Sequence, residues 1–304
     1  MKYFLLLFLL IIFSCNENNK ESRLNGFDVS PDAKELVFSY KSDSLYTIFT
    51  KNIITGETKL VYKGDGNYIN PKYSDDGRTI IFLHYDENSL TPEFYFYDIS
   101  SKTILKKIRI DNGFISDYTL PIDNKIYYIQ AQDFDSYSPI APKSYHNYDI
   151  YELDLKSSEK RKISDYKAYY MSEIINYGND SLIVSMQGQV SDSGLFLFAK
   201  THKPDTIVLA NRIVIKNDTL RNSTMYTNPV ILSKYNILCS SSYQMVKLDL
   251  ENNTEQPFLP STGYHYKLIR KAKNLIFYQR QDHTDYIYYF DLSIKKINSV
   301  LLKP

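Results

Sequence analysis

The stretch Asn70-Pro71-Lys72-Tyr73-Ser74-Asp75-Asp76-Gly77-Arg78-Thr79-Ile80-Ile81-Phe82-Leu83-His84 contains a short strand, a tight turn and a second strand with Phe near its end. The same order occurs once before, in Gly26-Phe27-Asp28-Val29-Ser30-Pro31-Asp32-Ala33-Lys34-Glu35-Leu36-Val37-Phe38-Ser39-Tyr40. Pro31 presets the first turn dihedral, and Asp and Gly accept the tight geometry that follows. Each copy leads into a Tyr/Phe-rich strand and a terminal strand, at 46–53 with 58–62 and at 93–99 with 104–110. A repeat of strand pairs this early in the chain makes internal repetition the first question to ask.

Fainter copies follow. Segments 115–120 and 125–130 lead to 148–155 and 160–164; 170–176 and 181–186 lead to 194–199 and 205–209. Segments 228–232 and 235–240 lead to 244–250 and 254–258; 266–270 and 274–279 lead to 286–292 and 297–302. The second strands align on Phe38, Phe82, Tyr128, Val184, Cys239 and Phe277. No window sustains an apolar period near 3.6, so the short Val/Ile/Tyr/Phe runs between Asn, Asp, Gly and Ser clusters read as strands. Six units of about 46 residues fill 26–304, within the roughly 40–50 residues of a four-stranded propeller blade. The predicted fold is all-β: a six-bladed β-propeller of four-stranded antiparallel blades. The last unit supplies its own fourth strand, which leaves ring closure open; Arg23 and Leu24 are candidates to extend that blade's edge.

Bulk composition narrows the function classes. Lys plus Arg number 36 against 35 Asp plus Glu, so no basic excess exists to hold nucleic acid. Hydrophobic residues make up 43%, enough to bury a core. Tyr is abundant at 29 residues and Trp absent; Tyr suits half-buried pleated surfaces, and AT-rich coding explains the excess equally well.

The N-terminus reads as an address. Lys2 precedes an apolar run over 3–13, then Ser14 and Cys15. Eleven helical residues span about 16 Å, half a hydrocarbon core, too short to cross a bilayer. A charged start, apolar middle and small residue make residues 1–14 a secretory signal peptide. Ile12-Phe13-Ser14-Cys15 resembles a relaxed lipobox, with bulky Phe13 as its departure from the usual small residue, and implies lipidation of Cys15. Residues 15–25 then form a polar tether, and the propeller occupies 26–304. Asn16 is not the Asp associated with inner-membrane retention, so the expected location is the outer membrane, facing periplasm or surface. Cys239 is left without a partner, so no disulfide is expected, and it reads as a small buried hydrophobe.

The turns Ser30-Pro31-Asp32-Ala33 and Ser74-Asp75-Asp76-Gly77, each followed by an apolar strand with Phe, resemble the WD40-like Pro-Asp repeat of TolB-like propellers. The resemblance covers residues 26 to 110; the third to sixth units keep only the strand rhythm. It implies a TolB-like propeller and leaves partners and role open.

Motifs for chemistry are sparse. No Gly-x-Ser-x-Gly elbow, phosphate-binding loop, His-Glu-x-x-His or Cys-x-x-Cys occurs. The histidines His84, His146, His202, His265 and His283 have no metal-ligand spacing, although His84, His265 and His283 could meet at a propeller axis. Asp133 with Asp135, and Asp75 with Asp76, are candidate Ca²⁺ carboxylates that fit no EF-type loop and suit ordinary turns. Asp-Ser/Thr-apolar tripeptides at Ser44, Ser181, Thr206 and Thr219 resemble an O-glycosylation acceptor and equally describe strand starts. Two segments, 131–147 and 211–227, exceed what a blade needs, and long loops are where a rigid scaffold places recognition. Tyr137, Tyr145 and His146 form the candidate contact patch there. No catalytic residue, cofactor or metal site is predicted. The expected role is a monomeric, lipid-anchored, non-catalytic module that binds an envelope protein or glycan and no nucleic acid. The alternative is a propeller-type lyase or hydrolase acting on an envelope or extracellular polymer.

Overall fold

The computed structural model describes residues 23–42, 44–86, 91–111, 113–136, 142–187, 193–200, 211–212, 226–241 and 243–303, and among these no residue is helical. The strands form six four-stranded antiparallel sheets that succeed one another along the chain. Blade one holds β1 (Leu24–Val29), β2 (Glu35–Ser42), β3 (Leu45–Asn52) and β4 (Thr58–Tyr62). Blade two holds β5 (Gly66–Tyr73), β6 (Thr79–Asp86), β7 (Pro92–Asp98) and β8 (Thr103–Arg109). In blade three, β9 (Phe114–Tyr118) and β10 (Lys125–Ala131) are separated from the outer pair by a two-stranded hairpin. That hairpin is β11 (Asp133–Ser136) with β12 (Lys143–His146), and the outer pair is β13 (Asp149–Asp154) with β14 (Lys160–Lys162).

Blade four holds β15 (Tyr170–Tyr177), β16 (Ser181–Gln187), β17 (Ser193–Ala199) and β18 (Asn211–Arg212); blade five holds β19 (Tyr226–Ser233), β20 (Asn236–Ser241), β21 (Gln244–Asp249) and β22 (Thr254–Leu259). Blade six closes the series with β23 (Tyr266–Ala272), β24 (Leu275–Arg280), β25 (His283–Asp291) and β26 (Lys296–Leu301). The fold is thus a six-bladed β-propeller, as the repeats predict. One strand departs from expectation. The fourth strand of blade four is β18, pairing Phe196 with Arg212, whereas the expected segment 205–209 lies outside the described residues.

Burial explains why the second strands are the most legible elements. In β2, Leu36 to Tyr40 are buried without a break, and Ile80 to His84 repeat this in β6. Both faces of a second strand are covered by neighbouring blades, so the run is continuous rather than alternating. The outermost strands are only partly covered: β8 alternates exposed and half-buried positions along most of its length. The apolar core divides into six clusters, one for each blade-to-blade interface. Cys239 is fully buried in the cluster between blades four and five, the small-hydrophobe role expected of it.

Among the described residues no strand is shared between the first and last blades. The cluster between blades six and one joins Leu24, Phe27, Phe38 and Tyr40 to Phe277, Ile287, Val300 and Leu302. Across the same seam the Tyr40 hydroxyl donates to Asp285 Oδ1 at 3.3 Å. Arg23 and Leu24 do not extend blade six. Leu24 pairs with Tyr40 inside blade one, and the Arg23 carbonyl accepts from the Lys41 amide, because β26 already holds the outer edge of blade six.

Two recurrent turns set the strand spacing. In the first, Ser30 Oγ donates to Asp32 Oδ1 at 2.7 Å and accepts from the Glu35 amide, while Asp32 Oδ1 accepts from the Lys34 amide. Ser74, Asp76, Arg78 and Thr79 repeat these bonds in blade two. The fourth turn position is left-handed in both, with Ala33 at φ 59° and Gly77 at φ 69°. The second turn joins third to fourth strands. There Asn52, Asp98, Asp154, Asp249 and Asp291 each accept backbone N–H bonds from residues two or three positions on.

A side chain in the left-handed region is disfavoured by roughly 1–2 kcal/mol, part of which glycine's greater unfolded-state entropy offsets. Ala33→Gly is therefore expected to stabilise the protein by about 0.5–1 kcal/mol, and Gly77→Ala to destabilise it by about 1 kcal/mol. Urea denaturation of the two variants checks both signs.

The second turn generates a pH effect. Hydrogen bonds from Ser100 and Ser101 hold the Asp98 carboxyl below its usual 3.8, at about 2. A lowered folded pKa means that this stabilisation is present above the unfolded value and lost as pH falls through about 2. In Tm measurements over that interval, Asp98→Asn should show a smaller decline than wild type.

Candidate functional site

Each first strand carries a β-bulge, and the bulges set up the centre of the ring. Register slips occur between Leu24 and Phe27, Ile69 and Lys72, Ile115 and Asp117, Met171 and Glu173, Thr227 and Val230, and Lys267 and Arg270. A bulge increases local twist and re-aims the side chains beside it. Four bulges contain a left-handed residue: Gly26, Asn70, Asn228 and Leu268. Asn tolerates that region and Gly favours it. At Gly26 a Cβ would also lie 3.1 Å from the Asn70 Cα of blade two, so a side chain there would be strained and would crowd that backbone.

The re-aimed groups join blade to blade all the way round. Asp28 Oδ2 accepts from the Tyr73 amide at 2.9 Å, linking blades one and two. Lys72 Nζ donates to Asp117 Oδ1 at 2.7 Å and to the Tyr118 carbonyl, linking two and three. Asp117 Oδ2 accepts from the Ile174 amide at 3.0 Å, and Glu173 Oε2 from the Asn228 amide at 3.1 Å. Asn228 Oδ1 accepts from the Leu268 amide at 2.8 Å, and Arg270 Nε stands 3.7 Å from Asp28 Oδ1 to complete the circuit.

The Lys72–Asp117 pair is the buried centre of this ring, with side chains 9% and 8% exposed. Burial pushes the Asp117 carboxyl up, but Lys72, Arg270 and the Ile174 amide outweigh it and hold the group below the usual carboxylate range. Burial draws Lys72 down, and Asp117 opposes that shift. At Asp28 and Glu173 burial prevails and both carboxyls are raised, Glu173 further by its neighbour Asp117.

These residues line a pocket of about 570 Å³ at the centre of the ring. Its walls are apolar, formed by Leu120, Ile122, Ile175, Pro229, Val230 and Ile231, while Asp75, Lys271 and Lys273 stand at the mouth. A concave apolar site with a few fixed polar groups at its base is the usual form of a ligand-binding pocket.

Of the residues singled out in the sequence, Asp75 lines this pocket, and the other described ones lie elsewhere. Cys15, Tyr137, His202, Thr206 and Thr219 are outside the described residues. Tyr145 and His146 belong to the β11–β12 hairpin. Tyr145 stacks on Phe114 at 5.4 Å and touches Phe134 at 4.8 Å, and His146 is buried with Nε2 against Asp135 Oδ1. Among the described residues of that hairpin, Phe134 is an exposed large hydrophobic. His84 lies on β6, stacked on Tyr68 and bonded to Glu93; His265 contacts Tyr243; His283 lies beside Asp282. None of these three lines the axial pocket. Asp133 accepts from Asn147 and Asp76 from Ser74 and Arg78, so these acids hold local structure. Among the described residues no group of three or more His, Cys, Asp or Glu is arranged to hold a metal ion.

With fold and site described, comparison with known proteins supports the architecture. Tricorn protease superposes with a TM-score of 0.62 at 15% identity, over 93% of this chain and 26% of that one. This chain therefore spans about a quarter of tricorn protease. An oligogalacturonate lyase from Vibrio parahaemolyticus gives 0.60 at 12% identity, over 92% of this chain and 79% of the lyase. An uncharacterized protein from Listeria monocytogenes EGD-e gives 0.59 at 14% identity, over 94% and 96%. No protein-family model matches the sequence, and no curated protein is similar to it in sequence. Likeness at these identities concerns fold alone. Fold and site together define a six-bladed β-propeller with an axial pocket.

Removing one partner of a buried ion pair leaves an uncompensated charge, at about 3–5 kcal/mol. Lys72→Met is expected to destabilise by that amount. Adding Asp117→Asn, which keeps an acceptor for the Ile174 amide, should recover at least half of the loss. Guanidinium denaturation of the two variants checks this coupling.

Proposed function

We propose that this protein is a lipid-anchored module of the bacterial cell envelope that recognises a protein or glycan partner through its axial pocket, without catalysis. The observation that carries the reading is the pocket itself. Its floor is held by bonds from every blade, and its apolar walls can bury part of a partner. Such pre-organisation reduces the conformational entropy lost on binding. Asp28, Asp117 and Glu173 are each committed to a backbone amide of the next blade, which suits positioning better than proton transfer.

The membrane part of the proposal rests on the N-terminal sequence. Cleavage before Cys15 and acylation there would anchor the propeller, with residues 15–25 as tether, at the outer membrane. The TolB-like turns of the first two blades agree with an envelope propeller. An enzymatic role on a polymer, which the fold of the lyase brings to mind, has no axial histidine to favour it among the described residues.

The test is capture from detergent-solubilised envelope with wild type and an Ile231→Trp variant, whose indole would fill the pocket. A partner held stoichiometrically by wild type, and lost by a variant of unchanged Tm, is the expected result. Equal capture by both would exclude the pocket as the contact.

A further inference from the structure

The axial floor contains an imbalance that the blade-to-blade bonds do not use. Among the lining residues that are not exposed, three carboxylates, Asp28, Asp117 and Glu173, face two cations, Lys72 and Arg270, while the exposed Asp75, Lys271 and Lys273 also line the pocket. Lys72 is taken up by Asp117 and the Tyr118 carbonyl, with its ammonium 4.5 Å from the Tyr118 ring centroid. Arg270 stands beside Asp28 and donates from Nη1 to the Ile269 carbonyl. Glu173 is the carboxylate left without a cation within 4.0 Å among the described residues. Its Oε2 accepts both the Asn228 amide and the Ser172 hydroxyl, and its Oε1 has no hydrogen-bond partner among the described residues.

Resting on the axial recognition reading, we infer that the pocket takes a primary ammonium at the end of an aliphatic stem, such as a lysine side chain of a partner, with Glu173 Oε1 as its counter-ion. The walls support the stem: Leu120, Ile122, Ile175, Val230 and Ile231 line the same pocket as Glu173. Long basic side chains bury their methylenes against apolar surface in this way. A compact ammonium with three donors fits a single free carboxylate oxygen, whereas a guanidinium fork needs both oxygens, and one is already committed. An anionic ligand would meet three carboxylates against two cations among the lining residues that are not exposed, both cations already engaged, and is disfavoured. Lys271 and Lys273 at the mouth are exposed, where salt screens them, while the floor lies beneath apolar walls and is screened far less.

The experiment is a ¹⁵N–¹H NMR titration of the full folded chain with Nα-acetyl-lysine amide and, separately, with Nα-acetyl-norleucine amide, which keeps the stem and lacks the charge. Wild type should bind the lysine compound at least tenfold more tightly, a difference of about 1.4 kcal/mol. Glu173→Gln, which keeps an acceptor for the Asn228 amide, should abolish that preference. Equal binding of the two compounds, with both lost in Ile231→Trp, would overturn the ammonium assignment and leave axial recognition standing. Absence of binding by either compound also overturns the assignment, and the envelope capture then decides the broader reading by itself. Because the comparison of compounds uses wild type, the test does not depend on the Glu173 variant folding.

Discussion

Around the axis, every blade reaches the next through a group that a bulged first strand supplies. Asp28, Lys72, Asp117, Glu173, Asn228 and Arg270 form this circuit, and each tie crosses one interface. The bulges make it necessary as well as feasible. Asn228 and Leu268 sit inside bulges and have no ladder partner in their own blade, so their amides would go unbonded without Glu173 and Asn228. A buried amide without a partner costs about 1–3 kcal/mol, so each tie both joins blades and removes a penalty. Apolar clusters supply most of the adhesion between blades, but they are not directional. The polar ring fixes how far each blade rotates about the axis.

That ring also gives the pocket its character. Groups locked by bonds to neighbouring backbones cannot reorganise, so the floor presents a fixed pattern of charge to whatever enters. Closure between blades six and one follows the same logic. Side-chain packing and the Arg270–Asp28 approach join them, and among the described residues no strand is shared between the two blades.

Much of the fold was legible because its signals are local. The Ser30 and Ser74 turns need particular residue types at fixed offsets, and second strands such as β2 and β6 are buried on both faces. A further local signal, Asp or Asn followed by Ile or Leu at the end of the third strand, recurs at Asn52, Asp98, Asp154, Asp249 and Asp291 and marks the turn to the fourth strand. The site was not legible. Asp28 and Lys72 occupy the same place in the two clearest repeats, yet they carry opposite charges, and the other blades contribute Asp, Glu, Asn and Arg. A ring needs complementary partners and not identical ones, so no consensus residue marks it. In the long insertion, the rings of Tyr145 and His146 pack onto Phe114, Phe134 and Asp135, long-range partners that no local spacing announces.

The most direct test of the axial ring is native-state hydrogen exchange at the amides of Tyr73, Ile174, Asn228 and Leu268, resolved by NMR. If the ring ties the blades, all four exchange only through global unfolding, as slowly as the amides of the central strand β6. Exchange at the faster rate of edge strands such as β8, while β6 remains protected, would show that the blades are held by apolar packing alone.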